Sequence, residues 1–261
     1  MSTASLIVHQ SRYDLRTFLR DPRARAMTLL VPLVLLVFFG AVFKNQSFTI
    51  SGTKIPGAYY YLPRTMVLAV SSAALSNMII TLVAERESGA LKRRRATPVP
   101  PIALIGGDIT TSTVSVITTA IVLTVVGWLA FGTHVHGAGF AALLLALVVG
   151  AAALCSLAYA ITPFLTSVDS AGPMIMITTI VLNLISGLYA PDSIYPAWLR
   201  DIALVLPLRP LALALQAAVL PSANDGHTFA WGYLGIVVAW GVVAGVVAVR
   251  KFTWAPSGTG G

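Results

Sequence analysis

The chain of 261 residues carries little charge: Asp, Glu, Lys and Arg make up 10% of it against 57% hydrophobic residues, where soluble domains run at about 25% charged. The few charges are also bunched. None falls between Ile109 and Val168, where only His134 and His136 come near to one. No water-facing surface can be built from that stretch, and a mean hydropathy of +0.84 extends the exclusion of a soluble fold to the whole chain. Cysteine is nearly absent as well. The single Cys155 lies in an apolar run, which excludes an internal disulfide framework and any multi-cysteine metal site and leaves an inert packing residue.

Several chemistries are missing. A phosphate-binding loop needs a lysine after glycine, but the four lysines follow Phe43, Thr53, Leu91 and Arg250, so no nucleotide-hydrolysing site is encoded. Carriers driven by protons or sodium hold an acid or histidine within the membrane; here the acid is Asp108 alone, near the inner end of the third apolar run and read as interfacial. His134 and His136 fit a short polar turn better than a metal site. No Ser/His/Asp arrangement converges within one segment. The chain is therefore expected to be no enzyme, to bind no metal and no cofactor of its own, and to draw energy from outside. A net charge of +8 without an extended basic domain points to membrane orientation and not to nucleic acid.

What is present is a series of apolar runs. They lack the two-residue alternation of barrel strands and predict an all-α polytopic membrane protein with spans at 26–43, 63–84, 104–131, 140–163, 171–190 and 229–249, one transmembrane domain over 26–249. Twelve lysines and arginines flank one side of these six spans and five the other, Lys44, Lys54, Arg64, Arg200 and Arg209, which places both termini and the tail 250–261 in the cytoplasm. In residues 1–25, Ile7, Val8, Leu15, Phe18 and Leu19 share one helical arc opposite Arg12, Arg16 and Arg20. That predicts an amphipathic helix on the inner membrane surface, ended by Asp21-Pro22, and not a signal peptide. The outer segment 191–228 is too apolar for a free loop; broken by Pro207 and Pro210, it predicts two short, partly inserted helices. Gly241 and Gly245 form a GxxxG face for helix packing.

The most unusual string is ERESGALKRRRATPVPP at 85–101. Glu85 and Glu87 are the chain's only glutamates. Gly89 permits a tight turn, Ala90 to Arg95 can form a short basic helix, and Pro98, Pro100 and Pro101 stop it. Read from composition, the KRRR run anchors the loop on anionic lipid; alternatively the glutamates and short helix dock into a partner that moves them. The string resembles the cytoplasmic coupling segment of ABC type-2 (ABC-2) exporter permeases, matching its pattern at Glu85, Arg86, Glu87, Gly89, Leu91, Thr97 and Pro98 and departing from it at Arg94. RDPRARAMTLLVPLVLLVFFG at 20–40, with Pro32, is similar to that family's first-span region, and SGLYAPDSIYPAWLRDIALVLPLRPLALALQ at 186–216 to its outer re-entrant segment. Daunorubicin-type drug exporter permeases are the branch it looks most like.

The resemblance implies the permease subunit of a bacterial inner-membrane exporter, multi-pass, working with a second permease copy or close homologue and two ABC ATPase subunits. ATP and Mg would belong to those subunits. It also implies that the second and fifth spans face the partner and line a route for an amphiphilic drug or lipid-like substrate. On helical spacing, Ser72, Ser76 and Ile79 group on the second span and Met176, Ile180, Asn183 and Gly187 on the fifth; hydrogen-bonding contacts between membrane helices would explain the serines and asparagine equally. An ATPase-independent secondary transporter or channel is the alternative.

Overall fold

A computed structural model describes residues 22–50, 52–88, 101–165 and 168–251, with backbone alone at 22–28, 50, 101–104, 168–171 and 251. The amphipathic helix expected over 1–25 and the tail beyond Lys251 lie essentially outside the described residues. Helix α1, Pro22–Val42, is the first described element. An unpredicted two-stranded hairpin follows, β1 Ser47–Ile50 against β2 Thr53–Pro56, with Phe48 opposite Ile55 and Gly52 turning at φ +79°. Four-residue strands are too short to show period-two patterning, so its sequence signal is a glycine between two β-branched pieces.

The next stretch runs as helix from Gly57 to Glu87, over 31 residues. It comprises α2 (Gly57–Val70), a π-helical segment (Ser71–Ser76) and α3 (Asn77–Glu87). At 1.5 Å per residue this is ~46 Å, well beyond a hydrocarbon core of ~30 Å, so its two ends reach opposite headgroup layers. Helix α4 (Pro101–Phe131) leads through a six-residue connection to α5 (Ala138–Ile161), which tightens into a 3-10 turn at Thr162–Phe164. Then come α6 (Val168–Ile185), a 3-10 turn at Asp192–Ile194, α7 (Ala197–Val205), α8 (Leu208–Val219), a 3-10 turn at Pro221–Asn224 and α9 (Trp231–Lys251).

The chain is thus an all-α polytopic membrane protein with one small hairpin. Among the described residues, Gly57–Glu87, Ile105–Phe131, Ala138–Phe164 and Trp231–Arg250 are long and apolar enough to cross a membrane. The runs expected at 26–43 and 171–190 are helical too, but their apolar parts, Leu29–Val42 and Gly172–Ile185, are shorter. The second of these stops at Ile185 because the chain turns through Gly187 at φ +74°. In the segment 191–228, α7 and α8 meet at 87°. Leu206 is extended, with ψ 147°, ahead of Pro207, since a residue before proline is pushed out of the helical region.

Helix α5 is the hub, packing on α9, α8 and α4, while α2–α3 is largely buried among α1, α4, α5 and α8. Small residues set these distances. A Cβ on Gly241 would stand 3.1 Å from the Ala153 Cα, whereas one on Gly245 would meet nothing, so half of the GxxxG face is used within the chain. A second cluster joins α1, the hairpin and the start of α2: Tyr61 stacks on Phe39 at 4.6 Å and on Phe43 at 5.1 Å, and Phe48 tilts onto Tyr60 at 4.5 Å. Replacing Gly241 with Leu is expected to force α9 off α5 and cost about 1–3 kcal/mol, read as earlier thermal unfolding in detergent, while Gly245→Leu leaves the transition close to wild type.

Candidate functional site

Three polar features interrupt the apolar bundle: one at the Glu85 end, one within the bundle and one at the opposite end. At the Glu85 end, α3 carries the ERE triplet on its last turn. Arg86 is 3% exposed. Its Nη1 donates to the Thr162 carbonyl at 3.2 Å and its Nη2 to the Leu165 carbonyl. Those two carbonyls sit at the 3-10 turn that follows α5, where the Thr162 carbonyl also accepts from the Leu165 N–H at 3.1 Å. Successive helical residues are ~100° apart, so with Arg86 turned inward the neighbours flank it: Glu85 is half-buried and Glu87 exposed. Arg86 is therefore a tie between the second span and the α5–α6 turn. Gly89, Leu91, Thr97 and Pro98 lie outside the described residues.

Close by, the Tyr159 hydroxyl of α5 donates to the Asp108 carboxylate of α4. Asp108, expected as an interfacial acid, also joins two spans. Cys155, one turn before Tyr159, is buried and free. The ends of α3, α4 and α5 are thus cross-linked by polar groups on one side of the bundle.

Within the bundle, the π segment carries Ser72 and Ser76, both half-buried, while Ile79 is buried just beyond. An extra residue in the turn shifts the helix face, and such segments recur at functional positions. Ser76 Oγ lies 3.0 Å from Thr179 Oγ1 of α6; Thr179, which sequence reasoning passed over, is the described contact between the two groups of path candidates. On α6 itself the candidates separate. Met176 and Ile180 are exposed, at 65% and 44%, on a face shared with Met174, Ile177, Val181 and Leu184. Asn183 is buried, its Nδ2 donating to the Tyr189 hydroxyl at 3.5 Å and its Oδ1 without a partner. Seven residues apart in one helix, Met176 and Asn183 share a face as helical spacing predicts; their exposure differs because the segment beyond Ile185 folds back at Asn183, with the Leu188 N–H donating to its carbonyl.

At the opposite end, Arg64 of α2 is 3% exposed. Its Nε donates to the Gly187 carbonyl at 3.1 Å, and its Nη1 to the Tyr60 carbonyl at 2.9 Å and to Gln216 Oε1 at 3.3 Å. Its Nη2 is 3.6 Å from Asp192 Oδ2, and the guanidinium carbon sits 3.4 Å from the centre of the Tyr60 ring. Asp192 Oδ1 accepts from Arg209 Nη1 at 3.1 Å. Its backbone N–H donates to the Tyr60 hydroxyl at 3.0 Å, and Gln216 Nε2 donates to the Tyr59 carbonyl at 2.9 Å. One carboxylate thereby joins two arginines and pins α2, the turn after α6 and α8. Gly187 is required there twice, by its positive φ and because a Cβ would stand 3.1 Å from Arg209 Nη1 and 3.2 Å from Asp192 Oδ1. Sequence reasoning counted Arg64 and Arg209 as loop charges. The available signal was an arginine inside the apolar run YYYLPRTMVLAV, a position where a buried partner is the default expectation.

His134 and His136 have ring centroids 6.0 Å apart, and no group of three metal-ligating side chains occurs among the described residues.

Long apolar helices, a polar tie at the Glu85 end and a bent helix pair locked at the far end define a polytopic membrane protein. The family model described as ABC-2 type transporter matches residues 7–220, and the chain belongs to that family. It is the membrane component of an ABC-type transporter. No curated protein matches it.

Replacing Asp192 with Asn leaves two buried guanidiniums without their counter-charge; a loss on the order of 3–5 kcal/mol is expected. Asp201→Asn, on the exposed side of α7, is expected to stay within about 0.5 kcal/mol. Thermal unfolding of the two variants in one detergent checks both.

Proposed function

We propose that the chain is the permease subunit of an ATP-driven exporter, moving an amphiphilic drug or lipid-like molecule out of a bacterial cell. In this reading it has six spans, with α1 and α6 completing the four long ones, both termini in the cytoplasm and α7–α8 dipping into the outer leaflet. Two ABC ATPase subunits supply ATP and Mg, and a second permease copy or homologue completes the pathway. Arg64 and Arg209 are buried with Asp192, so fewer free cations remain on the outer side than a count of loop charges suggests, which sharpens the positive-inside asymmetry.

The observation that carries the proposal is the ERE turn: two glutamates flank a buried arginine that grips the α5–α6 turn. Closure of the ATPase subunits pulls on Glu85, Glu87 and the segment through Gly89, Leu91, Thr97 and Pro98. Arg86 passes the displacement to the start of α6, and the Asp108–Tyr159 contact keeps α4 and α5 moving with it. A ligand or partner shifts such an equilibrium only by its differential hold on the two states, and a rigid tie lets a partner at the surface bias helices in the core. The exposed apolar face of α6 with Met176 and Ile180, and that of α1 with Leu30, Val34 and Phe38, meet the second permease and enclose the route. Ser72, Ser76 and Asn183 add the few polar groups that orient an amphiphile.

Two experiments test this. Reversing both charges, Glu85→Lys with Glu87→Lys, is expected to remove most of the ATPase that co-purifies with the wild-type chain and to abolish export; undiminished ATPase recovery and export would end the proposal. Met176→Trp is expected to change the set of amphiphiles that stimulate ATP hydrolysis by the purified complex, and an unchanged set would take α6 off the route.

A further inference from the structure

Helix α6 is attached to the bundle from one side. Among the described residues it packs mainly on α3, the π segment and α7, and its other side carries exposed Met174, Ile177, Val181 and Leu184. Three polar ties hold it to α2–α3. At one end Arg86 of α3 donates to the Thr162 and Leu165 carbonyls, just ahead of α6. At the other, Arg64 of α2 donates to the Gly187 carbonyl at 3.1 Å and faces Asp192 at 3.6 Å, just beyond α6. Between them Ser76 Oγ meets Thr179 Oγ1 at 3.0 Å.

The end ties match in reach. Arg64 and Arg86 are 22 positions apart, and so are Leu165 and Gly187. Along a helix this is ~33 Å, close to a hydrocarbon core of ~30 Å, so each tie sits near one boundary of the membrane. Both arginines are 3% exposed, and parting α6 from α2–α3 at either end would strand a buried charge. Sliding the exposed apolar side of α6 over another apolar surface breaks no hydrogen bond. The middle tie lies on the π segment, Ser71–Ser76. An extra residue there turns α3 by ~100° relative to α2, and that turn decides which way Arg86 faces once Arg64 is seated.

We propose that α2–α3 and α6 form one clamped unit, with Arg64 the positioning residue for the far end of α6 as Arg86 is for the near end. Helix α6 then follows α2–α3 through the transport cycle, and the route opens along the exposed side of α6, not between the two helices. Where the route opens rests on the export reading; the clamp does not.

The test places a cysteine pair at the middle tie, Ser76→Cys with Thr179→Cys, in a Cys155→Ala chain that holds no other thiol. Oxidation of the purified chain by copper phenanthroline in detergent is expected to form the disulfide. Arg64→Gln or Arg86→Gln, added singly, is expected to slow its formation about tenfold, while Arg200→Gln, exposed on α7, leaves the rate unchanged. Where a glutamine variant does not fold, the lysine variant at the same position, which keeps the charge and fewer donors, is read in its place. In the complex with its co-extracted ATPase, the disulfide is expected to form equally with and without ATP and vanadate, and the oxidised pair to hydrolyse ATP at the rate of the same pair reduced. A pair that does not oxidise, arginine variants that oxidise at the original rate, a disulfide lost in the vanadate-trapped state, or oxidation that stops turnover would each overturn the proposal. A chain extracted without any ATPase would end the export reading and leave the clamp to stand or fall on the oxidation rates.

Discussion

A guanidinium taken out of water is costly to bury unless acceptors and a counter-charge surround it. Arg64 meets that demand with two backbone carbonyls, a glutamine amide oxygen and a carboxylate, drawn from α2, α8 and the turn after α6. The arrangement of the far end follows. The 87° bend between α7 and α8 brings Arg209 and Gln216 to the same point, and the positive φ of Gly187 exposes its carbonyl there. In an apolar bundle, where any helix packs on any other about equally well, a group with this many directional requirements selects one arrangement.

Arg86 repeats the principle with weaker acceptors. Its acceptors are two carbonyls of the turn that follows α5, one of which also accepts a backbone N–H, so the buried arginine on α3 meets its own need for acceptors at a neighbouring helix end. A charged residue inside the loop-proximal turn thereby becomes internal structure while its two acidic neighbours remain near the surface. Within the ERE triplet it is the arginine that holds the permease to itself. Between the two ends, the π segment and the Ser76–Thr179 contact give the second and fifth runs a polar point of registration.

The family and the helical membrane architecture were legible because both are local. A run of about 20 apolar residues needs no partner to declare itself, Pro207 bends the chain wherever it sits, and the match of residues 85–98 to a coupling segment lies within fourteen consecutive positions. The hairpin at 47–56 was missed because four residues show no period. The burial of Asn183, on the same helical face as exposed Met176, was not legible because helical spacing assumes the helix is the only structure near it, and the chain returns at Leu188.

Segment type, membrane residence and the position of the charged loop were settled by composition and order along the chain, since each follows from how a short stretch partitions between water and hydrocarbon. Tertiary structure alone decided the pairings: Arg64 with Asp192 across 128 positions, Arg86 with Leu165, and Asp108 with Tyr159. The reason is that burial makes a polar group seek the nearest complementary atom in space, and nearness in space across a folded bundle is not written in any window of sequence.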